Sequence, residues 1–366
     1  MVIKEDEGIE VYRQKITALD REILTLVKKR EEWSLAIDRK KRAHALPQRD
    51  FAREKTVFDN ARTTAKELGL PLDFAVSLQK LILEDSLSRQ EQDRIENSFL
   101  GQKSVLVIGG SGRLGSWLCR FFADCGHSIS VVDPVRPKFS CTYKTSFDES
   151  ADLYDLIVVA TPIRASIEIL KKILSLKFKN PVIFDVSSVK NPVQEVLINL
   201  KNSGAHVTSL HPMFGPSVQL LFGKHIVRCS LGVPKADSLV NELFAATSLQ
   251  VVDMSIDEHD EIISLLLALT HAFCISFAHA LNKSGFPAPR LENFSSPTFA
   301  NLLAISKKVM SENPHLYYEI QALNPHTKRA HALLENALSD VIASIKKLDE
   351  DAFVDIMKRA QQYVGT

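Results

Sequence analysis

The sequence has few of the features that mark secreted, metal-binding or membrane proteins. Its 366 residues include only 5 cysteines, scattered and without a CxxC or other metal-ligand spacing. We therefore expect reduced thiols, no metal site and a cytoplasmic location. The opening segment MVIKEDEGIE has no apolar core of the signal-peptide kind. No unbroken run of about 18 apolar residues occurs, which predicts no membrane span.

An excess of charge of one sign is also missing. Lys and Arg number 45 against 44 Asp and Glu, and no basic block occurs. This balance predicts neither nucleic acid nor a membrane surface as a partner. An apolar content of 45% is typical of a globular protein, and the length predicts two or three domains.

The first part of the chain, residues 8–92, is predicted to be all helical. A long first helix carries apolar residues at alternating spacings of three and four, and a loop containing Pro47 follows it. Further helices are predicted from Asp50 to Leu68 and from Asp73 to about Gln92. The stripe on the first helix consists of Ile16, Leu19, Ile23, Leu26, Arg30, Trp33 and Ile37.

The pattern then changes to that of a parallel α/β sheet. The polar segment SRQEQDRIENSFLGQK is interpreted as a linker. Beyond it, the β-branched runs SVLVIGG, HSISVVDP, YDLIVVATP, PVIFDVSS and HVTSLHP are spaced by helical stretches. After about residue 254 the chain is helical and strongly apolar, which predicts an oligomer face. The predicted units are a helical domain (1–95), a linker (96–103), a Rossmann dinucleotide-binding domain (104–253) and an all-α domain (254–366).

Charged side chains converge in the N-terminal helices. Arg30 and Lys41 are eleven residues apart, which at about 100° per residue returns them to one face of the helix. That face is apolar, an unfavourable place for a cation unless an anion is present. Asp50, Arg53 and Glu54 share one face at the start of the second helix. The pattern indicates an anion pocket; the alternative is ordinary surface ion pairs.

Two further polar features belong to this part of the chain. Ser86 and Gln90 form an i, i+4 polar pair on the third helix. Arg13 lies seventeen residues before Arg30, about 25 Å away along the helix. It cannot reach the same pocket within one chain, but it could do so in an antiparallel partner chain.

Residues 8–92 resemble the all-helical chorismate mutase domain that is often fused to prephenate-processing enzymes. The rearrangement of chorismate to prephenate is pericyclic, so it needs a held conformer and stabilised charge rather than a nucleophile. The resemblance implies a dimer in which one chain's Arg13 enters its partner's pocket. The implied ligands are Arg13, Arg30, Arg53 and Ser86 for the carboxylates, Lys41 and Gln90 for the ether oxygen, and Glu54 with the backbone at Asp50 for the ring hydroxyl.

The segment VLVIGGSGRLGSWL predicts a strand, a glycine turn and a helix. Gly110, Gly112 and Gly115 fit the GxGxxG pattern, and a second strand ends at Asp133. That carboxylate would bind ribose hydroxyls, while the pyrophosphate would lie at the helix N-terminus. Asp133 favours NAD over NADP, although Arg136 nearby leaves NADP open.

Polar residues also follow two later strands. Ser188, Lys190 and His211 fall where strands of a parallel sheet end, the usual place for chemistry. A histidine before a proline is otherwise most often a plain loop residue. This pattern alone therefore leaves a catalytic role open.

Residues 104–360 resemble prephenate dehydrogenase. The motifs are SVKN, LHPMFGP, EHD at 258–260, His271 and FSSP at 294–297. With the mutase part, the domain order is that of the bifunctional chorismate mutase–prephenate dehydrogenases. The resemblance implies His211 as the general base, at an ordinary pKa near 6.5, for the 4-hydroxyl during oxidative decarboxylation. It implies further that Ser188 orients His211, that Lys190 and His271 line the substrate pocket, and that Thr161 and Pro162 form the wall beside the nicotinamide.

The third domain departs from the family pattern at three cationic positions. Where the family has arginines, this chain has Ala300, Lys308 and Thr270. Lysine keeps the charge of a carboxylate anchor but loses the bidentate fork. We therefore expect Lys308, or else Lys307 or Arg290, to anchor the substrate.

These patterns together predict a cytoplasmic, homodimeric, bifunctional enzyme of tyrosine biosynthesis. It would convert chorismate to prephenate and then, with NAD, prephenate to 4-hydroxyphenylpyruvate. One alternative is the same pair of reactions on the 4-amino-4-deoxy analogues, giving 4-aminophenylpyruvate. Another is an active mutase whose NAD-binding part is only regulatory. The resemblance also implies feedback inhibition by tyrosine.

Overall fold

The computed structural model describes residues 8–44, 46, 50–97 and 101–365. The N-terminal helices are α1 (Ile9–Ala43), α2 (Phe51–Leu68) and α3 (Leu72–Glu96). Asp50 caps α2, because its side chain accepts a hydrogen bond from the Arg53 amide, and Gly69 ends it at φ 70°. The predicted helical domain is therefore confirmed, while the predicted loop position of Pro47 lies outside the described residues.

The middle of the chain forms one mixed sheet flanked by helices. Within the described residues it has eight strands in the order β3-β2-β1-β4-β5-β6-β7-β8, parallel except for the antiparallel β6–β7 pair. The strands are β1 (Ser104–Ile108), β2 (Ser128–Val132), β3 (Thr142–Lys144), β4 (Leu156–Val159), β5 (Val182–Asp185), β6 (His206–Pro212), β7 (His225–Cys229) and β8 (Gln250–Asp253). The helices are α4 (Arg113–Asp124), α5 (Ile163–Leu176), α6 (Asn191–Asn202) and α7 (Pro234–Phe244).

The centre of the sheet determines where a site can form. Residues 105–108 of β1 and 156–159 of β4 are all buried, as expected for parallel strands covered by helices on both faces. The chain leaves β1 for β2 on one side and returns as β4 on the other. This is the switch point at which ligands of doubly wound sheets bind, beyond the carboxyl ends of the strands.

The predicted Rossmann domain is confirmed, but three strands were not predicted. β3 has only 3 residues and lies at the sheet edge. β7 and β8 are short, and the β7 sequence HIVRC contains a charge. The guanidinium of Arg228 lies against Asp253 of β8 with two hydrogen bonds, at 2.6 and 2.8 Å, which satisfies that charge inside the sheet.

The segment interpreted as a linker is largely helical, so that interpretation is wrong for residues 88–96. These residues form the last turns of α3. Ile95 is 4% exposed and lies in the same core cluster as Trp117 and Phe121 of α4. The polar composition of the segment concealed this contact, because two of its polar residues, Gln90 and Glu91, are buried and hydrogen-bonded to protein atoms.

The C-terminal part is helical, as predicted. Its helices are α8 (Ile256–Ile263), α9 (Thr270–Lys283), α10 (Ala288–Asn293), α11 (Pro297–Met310), α12 (Pro314–Leu323), α13 (Thr327–Lys346) and α14 (Glu350–Val364), with a π-helical stretch at Ser264–Leu269.

One helix of this part bears on the expectation that the chain has no membrane span. Residues Ile256–Lys283 run as one helix of 28 residues that is long and apolar enough to cross a membrane by length and composition alone. It does not contain an unbroken run of about 18 apolar residues, because Ser264, Thr270 and His271 interrupt the stretch. Most of this helix is unburied in the single chain, including Leu266 and Phe273.

Candidate functional site

Arg30 is the best-defined cation of the N-terminal helices. Its Nη1 donates to the hydroxyl of Ser86 at 2.5 Å, which connects α1 to α3. Arg30 and Arg53 line a cavity of about 430 Å³ whose other walls come from α2 and α3. Burial lowers the pKa of Arg30, as expected for a charge in a partly apolar pocket. Arg30 and Arg53 thus line one cavity, and Ser86 contacts Arg30 without being among the residues that line it.

Gln90 lies one turn beyond Ser86 and also faces α1. Its Nε2 donates to the hydroxyl and the carbonyl of Ser34, at 2.6 and 3.0 Å. Both of its amide donors are therefore engaged with protein atoms. Lys41 is half-buried in the last turn of α1.

The remaining residues assigned to this pocket lie elsewhere in the single chain. Arg13 is exposed and pairs with Glu10 at 2.5 Å. Glu54 lines a different cavity of about 740 Å³, which it shares with Gln219 and Lys224 of the sheet domain. The carboxylate of Asp50 caps α2. The predicted one-face cluster of Asp50, Arg53 and Glu54 therefore does not form one wall of one pocket within a chain.

The glycine turn between β1 and α4 is built for close backbone approach. A Cβ on Gly115 would lie 2.1 Å from the carbonyl oxygen of Gly109, so only glycine allows α4 to pack on the turn. Gly110 and Gly112 would also crowd their neighbours if they carried a Cβ. Gly109, which the motif did not include, has φ +89° and would meet the Ala160 carbonyl at 2.4 Å. The sequence signal for Gly109 was its position directly before Gly110, since two consecutive glycines mark a tight turn.

Asp133 lies at the end of β2, beside this turn. Its carboxylate accepts from the backbone amides of Ser111 at 3.1 Å and Val135 at 2.9 Å. The neighbouring cavity, of about 400 Å³, is lined by Arg113, Arg120, Arg136 and Lys138 among others. A glycine cradle at a helix N-terminus, a strand-end carboxylate and these cations fit the pyrophosphate and ribose of a dinucleotide.

The turn after β4 faces the same edge of the sheet. Thr161 is half-buried, with its Oγ1 2.9 Å from Ser166 Oγ, and Pro162 precedes α5. The first amide of α5, at Ile163, donates to the carboxylate of Glu319 from α12 at 2.8 Å. A side chain of the C-terminal domain thus fixes the turn where a nicotinamide wall is predicted.

His211, near the end of β6, is the centre of a buried polar chain. Its Nδ1 is 2.9 Å from Nε2 of His259, whose Nδ1 is 2.7 Å from the carboxylate of Asp260. The Asp260 carboxylate also accepts the amides of Lys190 at 2.8 Å and Asn191 at 2.7 Å. Because a carboxylate only accepts, His259 carries its proton on Nδ1 and accepts at Nε2. His211 therefore donates from Nδ1 and keeps the lone pair of Nε2 free.

This arrangement corrects the predicted partner of His211. Among the described residues no hydrogen bond joins Ser188 to His211, and Ser188 is half-buried. His259 and Asp260 take the orienting role instead. They belong to the EHD motif, but its distance along the chain gave no sign of this pairing.

Lys190 also has a different place from the predicted one. Its side chain is 0% exposed, and its Nζ donates to Asp185 at 2.9 Å and to the carbonyl of Leu210 at 2.6 Å. Ser209 donates to the same carboxylate at 2.6 Å. Lys190 is thus a buried support of β5 and β6 and does not line an open pocket.

The histidines of the site have lowered pKa values. For His211 the pKa lies well below its ordinary 6.5, first because of burial and then because of His259 and Lys190. This corrects the expectation of an ordinary imidazole, and it keeps His211 neutral at physiological pH. Burial also lowers the pKa of His271 to about 4. The His271 ring lies against Tyr317, with centroids 4.2 Å apart, and within the described chain its buried Nδ1 has no hydrogen-bond partner.

The candidate carboxylate anchors are all at the surface. Lys308 is exposed in the last turn of α11. Lys307 pairs with Glu292 at 2.8 Å, and the Arg290 guanidinium lies 5.4 Å from the Phe286 ring. A different cation, Arg113, reaches the C-terminal domain, where it pairs with Glu312 at 2.6 Å.

Comparison with known families divides the chain as the fold does. Residues 12–91 match the family "Chorismate mutase type II". Residues 137–228 match "Prephenate dehydrogenase, nucleotide-binding domain", and residues 255–359 match "Prephenate dehydrogenase, dimerization domain".

Individual relatives agree. The T-protein of Haemophilus influenzae is 23% identical over 359 residues, covering 98% of this chain and 93% of that protein. A probable arogenate/prephenate dehydrogenase of Methanocaldococcus jannaschii is 24% identical over 72% of the chain, which spans 61% of that relative's length. A 4-amino-4-deoxyprephenate dehydrogenase of Streptomyces pristinaespiralis is 24% identical over 71% of the chain and 90% of its own length.

Among solved structures, prephenate dehydrogenase of A. aeolicus in complex with hydroxyphenyl propionate and NAD+ resembles the chain with a TM-score of 0.59. It is 19% identical and covers 73% of this chain and 98% of its own. Three matched domains in this order, with a relative aligned from end to end, lead to one assignment. The chain combines a chorismate mutase type II domain with the nucleotide-binding and dimerization domains of prephenate dehydrogenase, and a T-protein relative aligns with 98% of it.

Proposed function

We propose that the chain rearranges chorismate to prephenate at Arg30 and oxidises prephenate to 4-hydroxyphenylpyruvate at His211, as a cytoplasmic homodimer. The proposed units are residues 1–95, 104–253 and 254–366, joined by 96–103. The dehydrogenase assignment is supported most strongly by the hydrogen-bonded series His211–His259–Asp260. This series lies at the same edge of the sheet as the glycine turn.

In the mutase step, one ether C–O bond breaks as one C–C bond forms, and no proton moves. Arg30, held by Ser86, offers a guanidinium to a carboxylate inside a partly apolar cavity. Lys41 and Gln90 are proposed to donate to the ether oxygen, which requires Gln90 to exchange Ser34 for substrate. Arg53 contacts a carboxylate from the opposite wall. Glu54 lines a separate cavity in the single chain, so its proposed contact with the ring hydroxyl requires it to turn toward the Arg30 cavity.

In the dehydrogenase step, His211 accepts the proton of the substrate 4-hydroxyl at Nε2. Asp260 holds His259, and His259 holds His211, in the tautomers that this requires. The glycine turn and Asp133 would hold NAD, which would supply the hydride acceptor for C4, and loss of the ring carboxylate as CO2 would make the ring aromatic. Positive charge that develops on His211 is stabilised by the buried Asp260 at the end of the chain. His271 lines the substrate pocket, and Thr161 and Pro162 lie beside the nicotinamide.

The test uses the full chain with chorismate, with and without NAD. We expect loss of chorismate in both samples, and NADH with 4-hydroxyphenylpyruvate only in the second. His211→Asn should abolish NADH formation and leave the mutase rate unchanged. A wild-type chain that consumes chorismate but forms no NADH from added prephenate would refute the second assignment.

A second candidate substrate series is 4-amino-4-deoxychorismate and 4-amino-4-deoxyprephenate. It is favoured by Ala300, Lys308 and Thr270, which replace cations of the family pattern, and by the similarity to the Streptomyces pristinaespiralis enzyme. Comparing kcat/KM for the 4-hydroxy and 4-amino substrates in both steps distinguishes the two. Preference for the amino series in both would replace the leading assignment.

The proposed homodimer accounts for the apolar stripe of α1. Ile16, Leu19, Ile23 and Leu26 are each more than half exposed in the single chain, and Trp33 is 73% exposed. A second copy packed along α1 would cover this stripe and bring its Arg13 to the Arg30 cavity. Ile23→Glu should then yield monomers by analytical ultracentrifugation and lower the mutase rate; an unchanged dimer would contradict this interface.

A further inference from the structure

Helix α3 presents different residues to the two halves of the protein. On one face Ser86 binds Arg30 and Gln90 binds Ser34. On the other face Ser88, Glu91 and Ile95, spaced i, i+3 and i+7, contact the sheet domain. The two faces belong to one rigid helix, so a shift of one face moves the other.

Glu91 makes the strongest polar contact on the sheet-domain face. It is 2% exposed, and its two carboxylate oxygens accept the backbone amides of Leu221 at 2.6 Å and Ser248 at 2.9 Å. Ser88 donates to the carbonyl of Gln219 at 3.0 Å. Burial raises the pKa of Glu91, while the amide bonds oppose that rise. A buried carboxylate held by two amides of separate segments fixes both segments to α3.

The segment that Glu91 holds is the connection after the His211 strand. Residues 213–224 join β6, which carries His211, to β7. The backbone of Met213 bonds to His225 at 2.9 Å, so the start of the connection is tied to the sheet. Its far end is tied to α3 through Leu221. Gln90, at the mutase face, is the immediate neighbour of Glu91 in sequence.

We infer that Glu91 is a positioning residue that couples the two active sites. A ligand in the Arg30 cavity orders α3, and Glu91 transmits that order to residues 213–224 and so to the surroundings of His211. Ligands at both sites therefore favour the same arrangement, in which Glu91 holds α3 against residues 213–224. Each should bind more tightly when the other is present, and by the same factor, because linkage is reciprocal. This inference rests on the proposed function of the two sites.

The test measures this factor directly in the full chain. The KM for chorismate in the mutase assay is compared without and with saturating NADH plus 4-hydroxyphenylpyruvate, the products of the second site. In the wild type we expect KM to fall roughly fivefold, within the usual range for coupled sites. Glu91→Gln keeps the shape of the side chain but places its NH2 against a backbone N–H. In this variant the ratio of the chorismate KM without to that with the second-site ligands should therefore fall to about one.

Two further variants separate coupling from damage to the fold. Glu84→Gln, on an exposed part of the same helix, should keep the wild-type factor. Ser88→Ala removes only the bond to Gln219 and should give an intermediate factor, which keeps the test decisive if Glu91→Gln folds poorly. Circular dichroism and the two basal rates report folding.

Each outcome bears on the inference. A wild-type factor of one, a rise in KM, or a factor that survives in Glu91→Gln would overturn it. Competition of 4-hydroxyphenylpyruvate for the mutase pocket would raise KM in every variant, so it cannot imitate the expected result. If the wild type lacks one of the two basal activities, the proposed function fails instead.

Discussion

The substitution Asp260→Asn tests the polar chain behind His211. The carboxylate of Asp260 accepts three hydrogen bonds, from His259 Nδ1 and from the amides of Lys190 and Asn191. An asparagine there must place its NH2 against one of these donors. With the NH2 toward His259, that ring must give up its Nδ1 proton and carry it on Nε2. His211 must then carry its own proton on Nε2, so this nitrogen can no longer accept the hydrogen bond and proton of the substrate hydroxyl.

The magnitude follows from the role that is lost. A positioned general base contributes about 10²–10⁴-fold to rate, or roughly 3–5 kcal/mol, so kcat of the dehydrogenase should fall within that range. With the NH2 toward Asn191, two donors face each other, the asparagine NH2 and the backbone N–H of Asn191. The free energy of unfolding should then fall by about 1–3 kcal/mol. Steady-state NADH formation from prephenate, measured below the onset of thermal unfolding, gives kcat and KM separately.

The mutase activity of the same variant is the internal control, because its residues lie in another domain and it should not change. Asp257→Asn provides a matched control on the same helix, since its side chain is 84% exposed and contacts only His326 at 3.1 Å among the contacts the structure gives for it. If Asp260→Asn keeps kcat within about threefold of the wild type, the general-base reasoning fails. Equal loss of both activities would point to unfolding.

Three other changes have defined outcomes. Because the pKa of His211 lies below its ordinary 6.5, the neutral base persists as pH falls past 6.5, so the acid limb of dehydrogenase kcat/KM should lie below that value; a limb at or above 6.5 would contradict this. Gly115→Ala should raise the KM for NAD at least about tenfold, since backbone cannot yield to a Cβ 2.1 Å away, whereas Gly8→Ala, in open space, should not. Arg30→Lys should lower mutase kcat/KM by about 10²-fold through loss of the fork, with NADH formation from prephenate unchanged; an equal loss in both assays would refute a mutase-specific role.

The features that could be predicted from sequence are those with local signals. The five long runs of the sheet, the glycine turn and the N-terminal helices each carry a period or a motif within a short stretch. Asp50 shows this well, since a capping residue before a helix can be recognised from its immediate neighbours. The family resemblance implied that Arg30 and Ser86 serve one pocket, but their direct contact was not predicted.

The features that could not be predicted depend on distant pairings. His259 lies 48 residues after His211, and only the fold places α8 against the end of β6. Lys190 was expected to line the substrate pocket because the family resemblance implied it. Its pairing with the buried Asp185, which the β5–β6 packing creates, is not visible in a single sequence. Glu91 was hidden in the same way within a polar segment.

The mutase half also shows that one chain does not complete its own site. The Arg30 cavity has Arg53 but lacks Glu54, which faces the connection before β7, and Arg13 is far away on α1. The exposed apolar stripe on α1 and the exposed apolar helix around Leu266 both need to be covered, since surfaces of this kind mark contacts between proteins. A second copy packed along α1 would bury the stripe and supply the missing arginine, and the helix around Leu266 offers a second apolar surface for contact between the same two copies. Equal mixtures of Arg13→Ala and Arg30→Ala chains should therefore recover about a quarter of the wild-type sites, because about half of the dimers are mixed and each mixed dimer has one intact site; pockets built within single chains would recover none.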